Sequence, residues 1–284
     1  MLRKLLGLAP KLEQDGSYSP SKIALKFSVS EKTNYEEINY QKYEGSKTKI
    51  LVIFTEQKNM VMKNGKLFST GNHPVEALLP MLHLQKAGFE FEVATPKGLP
   101  VVFEMWAYPE KDQHVNAIYN ELKSSFENPI KLKDFIDTSF DDTDHYAGVF
   151  IPGGHGAMLG IPDDENVGKI LRWANKSDLF TITLCNGPGS LLATTIGDRE
   201  FLYKGYKMCV FPDSVDRQTP MIGYLPGHMP RGLSETLSNL GATLMNTKFD
   251  DSVCVDRKLI TGASPLSSNN LGKLAAETLL KELK

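Results

Sequence analysis

A cysteine lies at a position where a chain can prepare a side chain for chemistry. The apolar, β-prone run Phe180 to Leu184 predicts a buried strand, and Gly187-Pro188-Gly189-Ser190 predicts the start of a helix. Cys185 is therefore expected at a strand-to-helix elbow. Helix N–H groups at such an elbow favour the thiolate, which is the nucleophilic form. The alternative is a small core residue, as most free cysteines are.

A carboxyl group is expected near this cysteine. Asn72-His73-Pro74 predicts a helix start, with Glu76 in the first turn. A carboxyl beside Cys185 would share a proton with it, and its raised pKa would make it a general acid and base. The alternative is a solvated glutamate that the helix dipole favours.

A glycine-rich turn follows a third predicted strand. The N–H groups of Gly153 and Gly154 are candidates for stabilising a negatively charged oxygen, and a plain tight turn is the alternative. His73 and His155 are each candidates for a base near Cys185. Taken singly, each histidine is more often a capping or packing residue.

The elements around these residues alternate between strand and helix. Lys49–Phe54, a helix from Pro74, and Phe89–Ala94 form a predicted βαβ unit, and Tyr146–Pro152 adds another parallel strand. This alternation predicts an α/β doubly wound sheet with ligands at the carboxyl ends of the strands. Glu76, Gly154 and Cys185 should therefore meet at one edge.

Two segments interrupt this pattern. Residues 1–47 predict an N-terminal arm that contributes to a cap or to dimer contacts, with disorder as the alternative for residues 11–47. Residues 48–284 predict the core, and an insertion at about 95–144 is expected to form a small cap over the sheet edge.

Composition excludes several classes of protein. The 284 residues carry a net charge of −2, so the chain as a whole lacks the positive charge that is typical of proteins that bind nucleic acid. Three widely spaced cysteines without a CxxC motif disfavour a disulfide framework and a zinc site, and indicate a reducing compartment. The run Leu5-Leu6-Gly7-Leu8-Ala9 is too short for a signal core, and no stretch is long enough for a membrane span. We therefore expect a cytoplasmic protein.

Many blocks of the sequence together resemble the ThiJ/PfpI superfamily. More narrowly, they resemble its bacterial thirty-one-kilodalton heat-shock branch, also described as glyoxalase III. The blocks include Lys66-Leu67-Phe68-Ser69-Thr70-Gly71-Asn72-His73-Pro74, Ile151-Pro152-Gly153-Gly154-His155-Gly156, Leu184-Cys185-Asn186-Gly187-Pro188, Phe211-Pro212-Asp213 and Ile222-Gly223-Tyr224-Leu225-Pro226-Gly227. The resemblance implies a flavodoxin-like, class I amidotransferase-like parallel sheet sandwiched by helices, with a small cap domain, in a homodimer.

The resemblance also implies an activity and a set of residues. The activity is cofactor-free, glutathione-independent conversion of methylglyoxal, a small dicarbonyl, to lactate, with protein deglycation as a related reaction. The implied nucleophile is Cys185, the implied acid and base is Glu76, and the implied third triad member is Asp216. Donors to the substrate oxygen are implied near Gly154 and the Asn186 backbone.

The chain departs from this branch at two sites. The branch has a histidine directly after its cysteine, whereas this chain has Asn186, which cannot shuttle a proton. Glu76 alone, His73 or His155 are the candidates to compensate. The metal site of the branch corresponds to Gln85, Glu90 and Leu122, where only the Glu90 carboxylate remains, so we expect no bound metal.

Other functions remain open at this stage. One is a holdase chaperone that binds unfolded proteins and shows little catalysis. A second is an oxidant-response protein in which Cys185 is reversibly oxidised. A cysteine protease is a weaker candidate, because a capped small site and the absent histidine disfavour peptide access.

Overall fold

The computed structural model describes residues 6–283. Residues 1–5, which belong to the predicted arm and include the start of the short apolar run, lie outside the described residues, as does residue 284. The strands are β1 (Lys11–Leu12), β2 (Tyr18–Ser19), β3 (Lys49–Ile53), β4 (Asn59–Val61), β5 (Leu67–Ser69), β6 (Glu90–Thr95), β7 (Ile130–Lys131), β8 (Tyr146–Ile151), β9 (Phe180–Leu184), β10 (Lys207–Met208), β11 (Thr243–Leu244), β12 (Val253–Asp256) and β13 (Leu259–Gly262). The α-helices are α1 (Lys22–Ser28), α2 (Pro74–Lys86), α3 (Gln113–Glu127), α4 (Leu132–Ser139), α5 (Glu165–Lys176), α6 (Asp213–Asp216), α7 (Leu233–Asn239) and α8 (Ser268–Glu282).

The main sheet confirms the predicted fold class. Its order is β12-β13-β9-β8-β3-β6-β7, and every pairing in it is parallel except the antiparallel pair of β12 and β13. Parallel strands of this kind need helical crossovers, and these place helices on both faces of the sheet. The carboxyl ends of β3, β8 and β9 therefore lie side by side.

The core has two parts because side chains alternate across each strand. On one face, Leu51 and Ile53 of β3 pack in a cluster with residues of α5. On the other face, Ile50 and Val52 pack in a cluster with residues of α2 and α8. Apolar residues on both faces thus give β3 the continuous hydrophobic run that is typical of a central parallel strand.

The N-terminal arm lies against the rest of its own chain. Strands β1 and β2 join β5 and β4 in a four-stranded sheet of order β1-β2-β5-β4. The Ser21 N–H donates to the Gly223 carbonyl at 2.8 Å, and the Tyr43 N–H donates to the Ala87 carbonyl at 2.9 Å. Residues 55–71, between the first predicted strand and the predicted helix from Pro74, contain the β4–β5 hairpin, which turns at Asn64 and Gly65.

Residues 95–144 flank the sheet and also reach its carboxyl edge. Strand β7 extends the sheet beside β6, α3 packs against α2, and α4 packs against α5. Phe103 forms a bridge with Asn72, which brings Glu104 to the edge where β3 ends. The cover over that edge also includes α1 of the arm. The division into arm, core and cap remains a prediction.

Within residues 6–283, no helix combines the length and the apolar character that a membrane span requires.

Candidate active site

The elbow after β9 fixes Cys185 in a strained backbone conformation. Its φ is 57°, in the left-handed region that residues other than glycine rarely adopt. Its N–H donates to the Gly262 carbonyl at 2.9 Å, and its carbonyl accepts from the Phe211 N–H at 2.9 Å. Gly187 then begins a 3₁₀ segment that runs to Thr195, in place of the predicted helix. These bonds hold the sulfur at the sheet edge.

Glu76 lies at the same edge and is not solvated. Helix α2 begins at Pro74, so Glu76 is in its first turn, and only 1% of its surface is exposed. Burial raises the pKa of Glu76 well above its ordinary range, and the charge of Glu104 raises it further, whereas Cys185 and the Gly154 N–H lower it. A neutral, buried carboxyl beside a thiol suits proton exchange and argues against the solvated alternative.

The thiol of Cys185 is buried more deeply than the elbow position predicts. Burial raises its pKa well above the ordinary value, and Glu76 raises it further, while the Gly154 N–H acts in the opposite direction. A buried site disfavours the thiolate because the charged form loses its hydration. The proton of Cys185 must therefore leave as the sulfur attacks, and the neighbouring carboxyl is placed to take part.

Gly153 makes room for the meeting of these two groups. A Cβ atom at this position would lie 1.9 Å from Oε2 of Glu76 and 2.8 Å from Cβ of Cys185. At Gly154, φ is 93° and a Cβ would lie 2.5 Å from the backbone nitrogen of His73. Both glycines are thus required by close approach, and the role of their N–H groups as donors to a substrate oxygen stays a prediction.

Gly153→Ala is expected to remove most activity while the protein still folds. The added methyl group must displace Glu76 or Cys185, and losses of about 10²-fold are typical when reacting groups are misplaced by about 1 Å. Steady-state kinetics on the substrate proposed below measure the loss. Gly197→Asn is the control, because its site has no neighbouring atom within 4 Å of the new Cβ and asparagine tolerates the φ of 78° at this position. Equal kinetics in both variants would contradict this account of Gly153.

The two candidate histidines have different environments. His73 precedes α2 without capping it through its side chain, and its Nδ1 lies 4.0 Å from Oε1 of Glu76. Burial lowers the pKa of His73 to about 3, with a contribution from the charge of His155, so the ring is neutral at pH 7. His155, in contrast, donates from Nε2 to Oδ1 of Asp216 at 2.9 Å.

Asp216 and Asn186 do not form the pair that a Cys-His-Asp triad would need. Asn186 is 1% exposed, its Oδ1 has no hydrogen-bond partner within residues 6–283, and its Nδ2 lies 3.9 Å from the Cys185 sulfur. The side chain of Asp216 instead holds His155. The structure thus brings all seven predicted site residues to one region but connects them differently.

All of these residues except Asp216 line a cavity of about 210 Å³. Such a volume is below the range of about 300–1,000 Å³ usual for drug-sized ligands, so it suits a small molecule. The outer wall is apolar, and Phe27 is 82% exposed at the rim. The lining residues are Ala24, Phe27, Ser28, His73, Glu76, Glu104, Gly154, His155, Cys185, Asn186, Phe211, Val215, Thr219, Ile222, Tyr224, Phe249 and Pro265.

Sequence reasoning missed Glu104. This residue is 1% exposed, its Oε1 accepts from the Thr70 hydroxyl at 2.5 Å, and its Oε2 has no hydrogen-bond partner among the described residues. Burial raises its pKa to about 7, although His155 and Thr70 lower it. The one signal in the sequence was a lone carboxylate inside the apolar run from Val101 to Trp106.

The positions that correspond to the metal site of the resembled branch are separate from this cavity. Glu90 is exposed at the start of β6, and the Gln85 amide donates to Oε1 of Glu121 at 2.7 Å. No group of three or more histidine, cysteine, aspartate or glutamate side chains within residues 6–283 is placed to hold a metal ion.

Comparisons with known proteins show the family of this chain. Residues 67–202 match the model of the DJ-1/PfpI family. The "Protein/nucleic acid deglycase HchA" of Escherichia coli O157:H7 (strain EC4115 / EHEC) is 45% identical over 269 residues, 95% of this chain and 94% of that protein. The chain belongs to the DJ-1/PfpI family. The "Protein/nucleic acid deglycase 1" of Escherichia coli (strain K12) shows the same identity and coverage.

A solved structure of similar fold is that of glyoxalase III from Candida albicans. It shares 22% identity with this chain, with a TM-score of 0.62, and the match covers 81% of this chain and 98% of that one. The likeness at this identity concerns the fold. The predicted ThiJ/PfpI membership and flavodoxin-like fold are thus confirmed. The names of the bacterial relatives include nucleic acid, which conflicts with the exclusion of nucleic acid drawn from net charge.

Proposed function

We propose that this protein is an enzyme of the deglycase and glyoxalase type that converts methylglyoxal to lactate without glutathione or a cofactor. The observation that carries the proposal is the meeting of Cys185 and the buried Glu76 across Gly153 in a small cavity. The names of the relatives that are 45% identical support the same class of reaction.

In the first step, the Cys185 sulfur attacks the aldehyde carbon of methylglyoxal. The thiol proton passes through the Glu76 carboxyl, and the aldehyde oxygen ends as the hydroxyl of a hemithioacetal. The Gly154 N–H acts on both Cys185 and Glu76. We assign to it, and to the Asn186 backbone N–H, the stabilisation of negative charge on that oxygen.

The second step is an internal transfer of hydrogen. A base removes the proton from C1, the C2 oxygen gains a proton, and the intermediate is an enediol. A proton then returns to C2 while the C1 hydroxyl loses its proton and the carbonyl forms at C1, so the net change moves one hydrogen from C1 to C2 and one from the C1 oxygen to the C2 oxygen. The product is a thioester between lactate and Cys185. Water then hydrolyses this thioester and releases lactate and the thiol, so no external oxidant or reductant is needed.

Adducts of dicarbonyls with amino or thiol groups are a second proposed substrate class. Such an adduct carries a bulky remainder that must stay outside a cavity of about 210 Å³. The exposed apolar rim at Phe27, Ile222 and Phe249 offers a surface for that remainder. Adducts on nucleobases belong to this class, because recognition of the adduct needs no basic track along a phosphate backbone.

The test is lactate formation from methylglyoxal in the absence of glutathione, with the parent protein and with Asn186→His. We expect lactate from the parent protein. If that protein is inert and Asn186→His gains activity, the chain lacks its proton shuttle and the enzyme proposal fails for the natural sequence. Absence of lactate in both proteins would also refute the glyoxalase assignment.

A holdase is the other function for which the structure offers a specific observation. Phe27, Ile222 and Phe249 are 82%, 45% and 43% exposed around the cavity mouth. Apolar surface of this kind is suited to bind unfolded chains. Suppression of aggregation that is unchanged by Cys185→Ser but lost with Phe27→Ser would support this function. We further propose that the protein is cytoplasmic and forms a homodimer. Light scattering of the purified protein checks the dimer through its molar mass.

A further inference from the structure

The carboxylate of Asp216 binds a histidine, but not one beside the cysteine. Nε2 of His155 donates to Oδ1 of Asp216 at 2.9 Å, and the side chains of the two residues are 6% and 9% exposed. A buried hydrogen bond between a histidine and a carboxylate fixes the tautomer and the orientation of the ring. When Nε2 carries the proton, Nδ1 of the neutral ring keeps its lone pair.

A second carboxyl lies close to the same histidine. The backbone N–H of His155 and the charge of its ring both lower the pKa of the Glu104 carboxyl, and the charge of Glu104 in turn raises the pKa of His155. The Thr70 hydroxyl donates to Oε1 of this carboxyl at 2.5 Å. His155 is thus hydrogen-bonded to one carboxyl through its ring and is close enough to a second to feel its charge.

Aromatic rings complete the surroundings of His155. The Phe68 ring lies edge-on at a centroid distance of 5.6 Å, Tyr224 lies at 5.9 Å, and Phe211 lies at 6.1 Å. These rings restrict rotation of the imidazole, and His155 itself lines the cavity that contains Cys185. A histidine held on several sides at the wall of a reaction cavity is preorganised to transfer protons.

We propose that His155, positioned by Asp216 and Glu104, transfers the proton from C1 to C2 of the hemithioacetal, in place of the histidine that the resembled branch has at position 186. This inference rests on the proposed function. Glu76 carries the thiol proton in the first step, whereas His155 carries the proton from C1 to C2 in the second. Nδ1 takes the C1 proton, the C1 hydroxyl proton passes to the C2 oxygen, and the imidazolium returns its proton to C2 as the carbonyl forms at C1, so the ring ends as it began.

The environment favours His155 over His73 for this role. Burial alone would lower the pKa of His155, but the charge and hydrogen bond of Asp216, with the charge of Glu104, raise it above its ordinary value. The low pKa of His73 makes it a much weaker base. The titratable groups that face His155 or share its cavity are Asp216, Glu104, His73, Glu76, Cys185 and Tyr224.

The first test compares His155→Asn with His145→Asn. His145 pairs with Asp142 on the surface, so its substitution also removes a histidine–aspartate pair, but far from the chemistry. We expect His155→Asn to lower kcat by about 10²- to 10⁴-fold, as for loss of a general base. Native mass spectrometry should then show a methylglyoxal adduct on Cys185 that persists, because the first step is intact and the second is blocked.

The second test is the pH profile of kcat in Asp216→Asn. A raised pKa of His155 means that its basic form appears only above that pKa, so kcat should rise with pH through it. Loss of the Asp216 charge lowers the pKa of His155, so the rise of kcat with pH should shift to lower pH. A merely structural role for Asp216 would lower activity without shifting this rise.

The outcomes separate the two proposals. An adduct and turnover in the parent, with equal kcat in His155→Asn, would overturn the role of His155 and leave the enzyme proposal in place. Absence of both adduct and turnover in the parent would overturn the proposed function itself. If His155→Asn does not fold, the kcat of His155→Gln and the pH profile of Asp216→Asn test the inference instead. A rise of kcat with pH that occurs at the same pH in Asp216→Asn and in the parent would count against it.

Discussion

Cys185→Ser is expected to reduce lactate formation from methylglyoxal to the uncatalysed background. Serine preserves the size of the side chain, but a buried hydroxyl is a far weaker nucleophile than a thiol that can pass its proton to Glu76. The elbow should remain intact because its hydrogen bonds come from the backbone of residue 185. The measurement is lactate formed over time, with circular dichroism as a check of the fold.

The matched control for this change is Cys254→Ser. Cys254 is a partly buried cysteine on β12, outside the residues that line the cavity. It should retain the parent's rate. Comparable losses in both serine variants, or a Cys185→Ser protein that still forms lactate at the parent's rate, would remove Cys185 from the proposed reaction.

Glu76→Gln is expected to lower kcat by about 10²- to 10⁴-fold, the range for loss of a positioned acid and base. The amide keeps the shape of the side chain but cannot carry the thiol proton. Steady-state kinetics test this, and native mass spectrometry should show slower formation of the Cys185 adduct. Glu165→Gln is the control, because Glu165 also occupies the first turn of a helix but has a side chain that is 64% exposed.

The same variant has an expected effect on stability. Glu76 has a raised pKa in the folded protein, so its favourable contribution is complete below the unfolded pKa and is lost as pH rises through the folded pKa. Glutamine does not titrate, so Glu76→Gln should melt at a higher temperature than the parent at pH 8. A lower melting temperature there, with the loss of activity, would indicate a structural rather than a chemical role.

The sequence predicted the parallel core because each of its elements carries a strong local pattern. Apolar residues on both faces of β3, β8 and β9 predict central strands, and Pro74 predicts the start of α2 to the residue. Since parallel strands end at one sheet edge, the convergence of Glu76, Gly154 and Cys185 followed from topology alone. The hairpin within residues 55–71 was not predicted, because its strands are only three residues long.

The environment of each group was not available to sequence reasoning. The elbow position alone suggests a ready thiolate at Cys185, but burial beside Glu76 opposes it. Glu104 is distant from the other site residues in sequence, and the bridge between Phe103 and Asn72 brings it to the cavity. Burial depends on segments that lie far apart in the chain, so the local pattern does not encode it.

The sequence by itself determined the α/β class, the family, the nucleophile candidate and the loss of the histidine at position 186. Only the tertiary structure showed which histidine binds Asp216. His155 and Asp216 are 61 residues apart and meet because two loops pack at one sheet edge. The sequence specifies the type of each residue, but the hydrogen-bond partner of a side chain depends on how distant loops pack together in the fold.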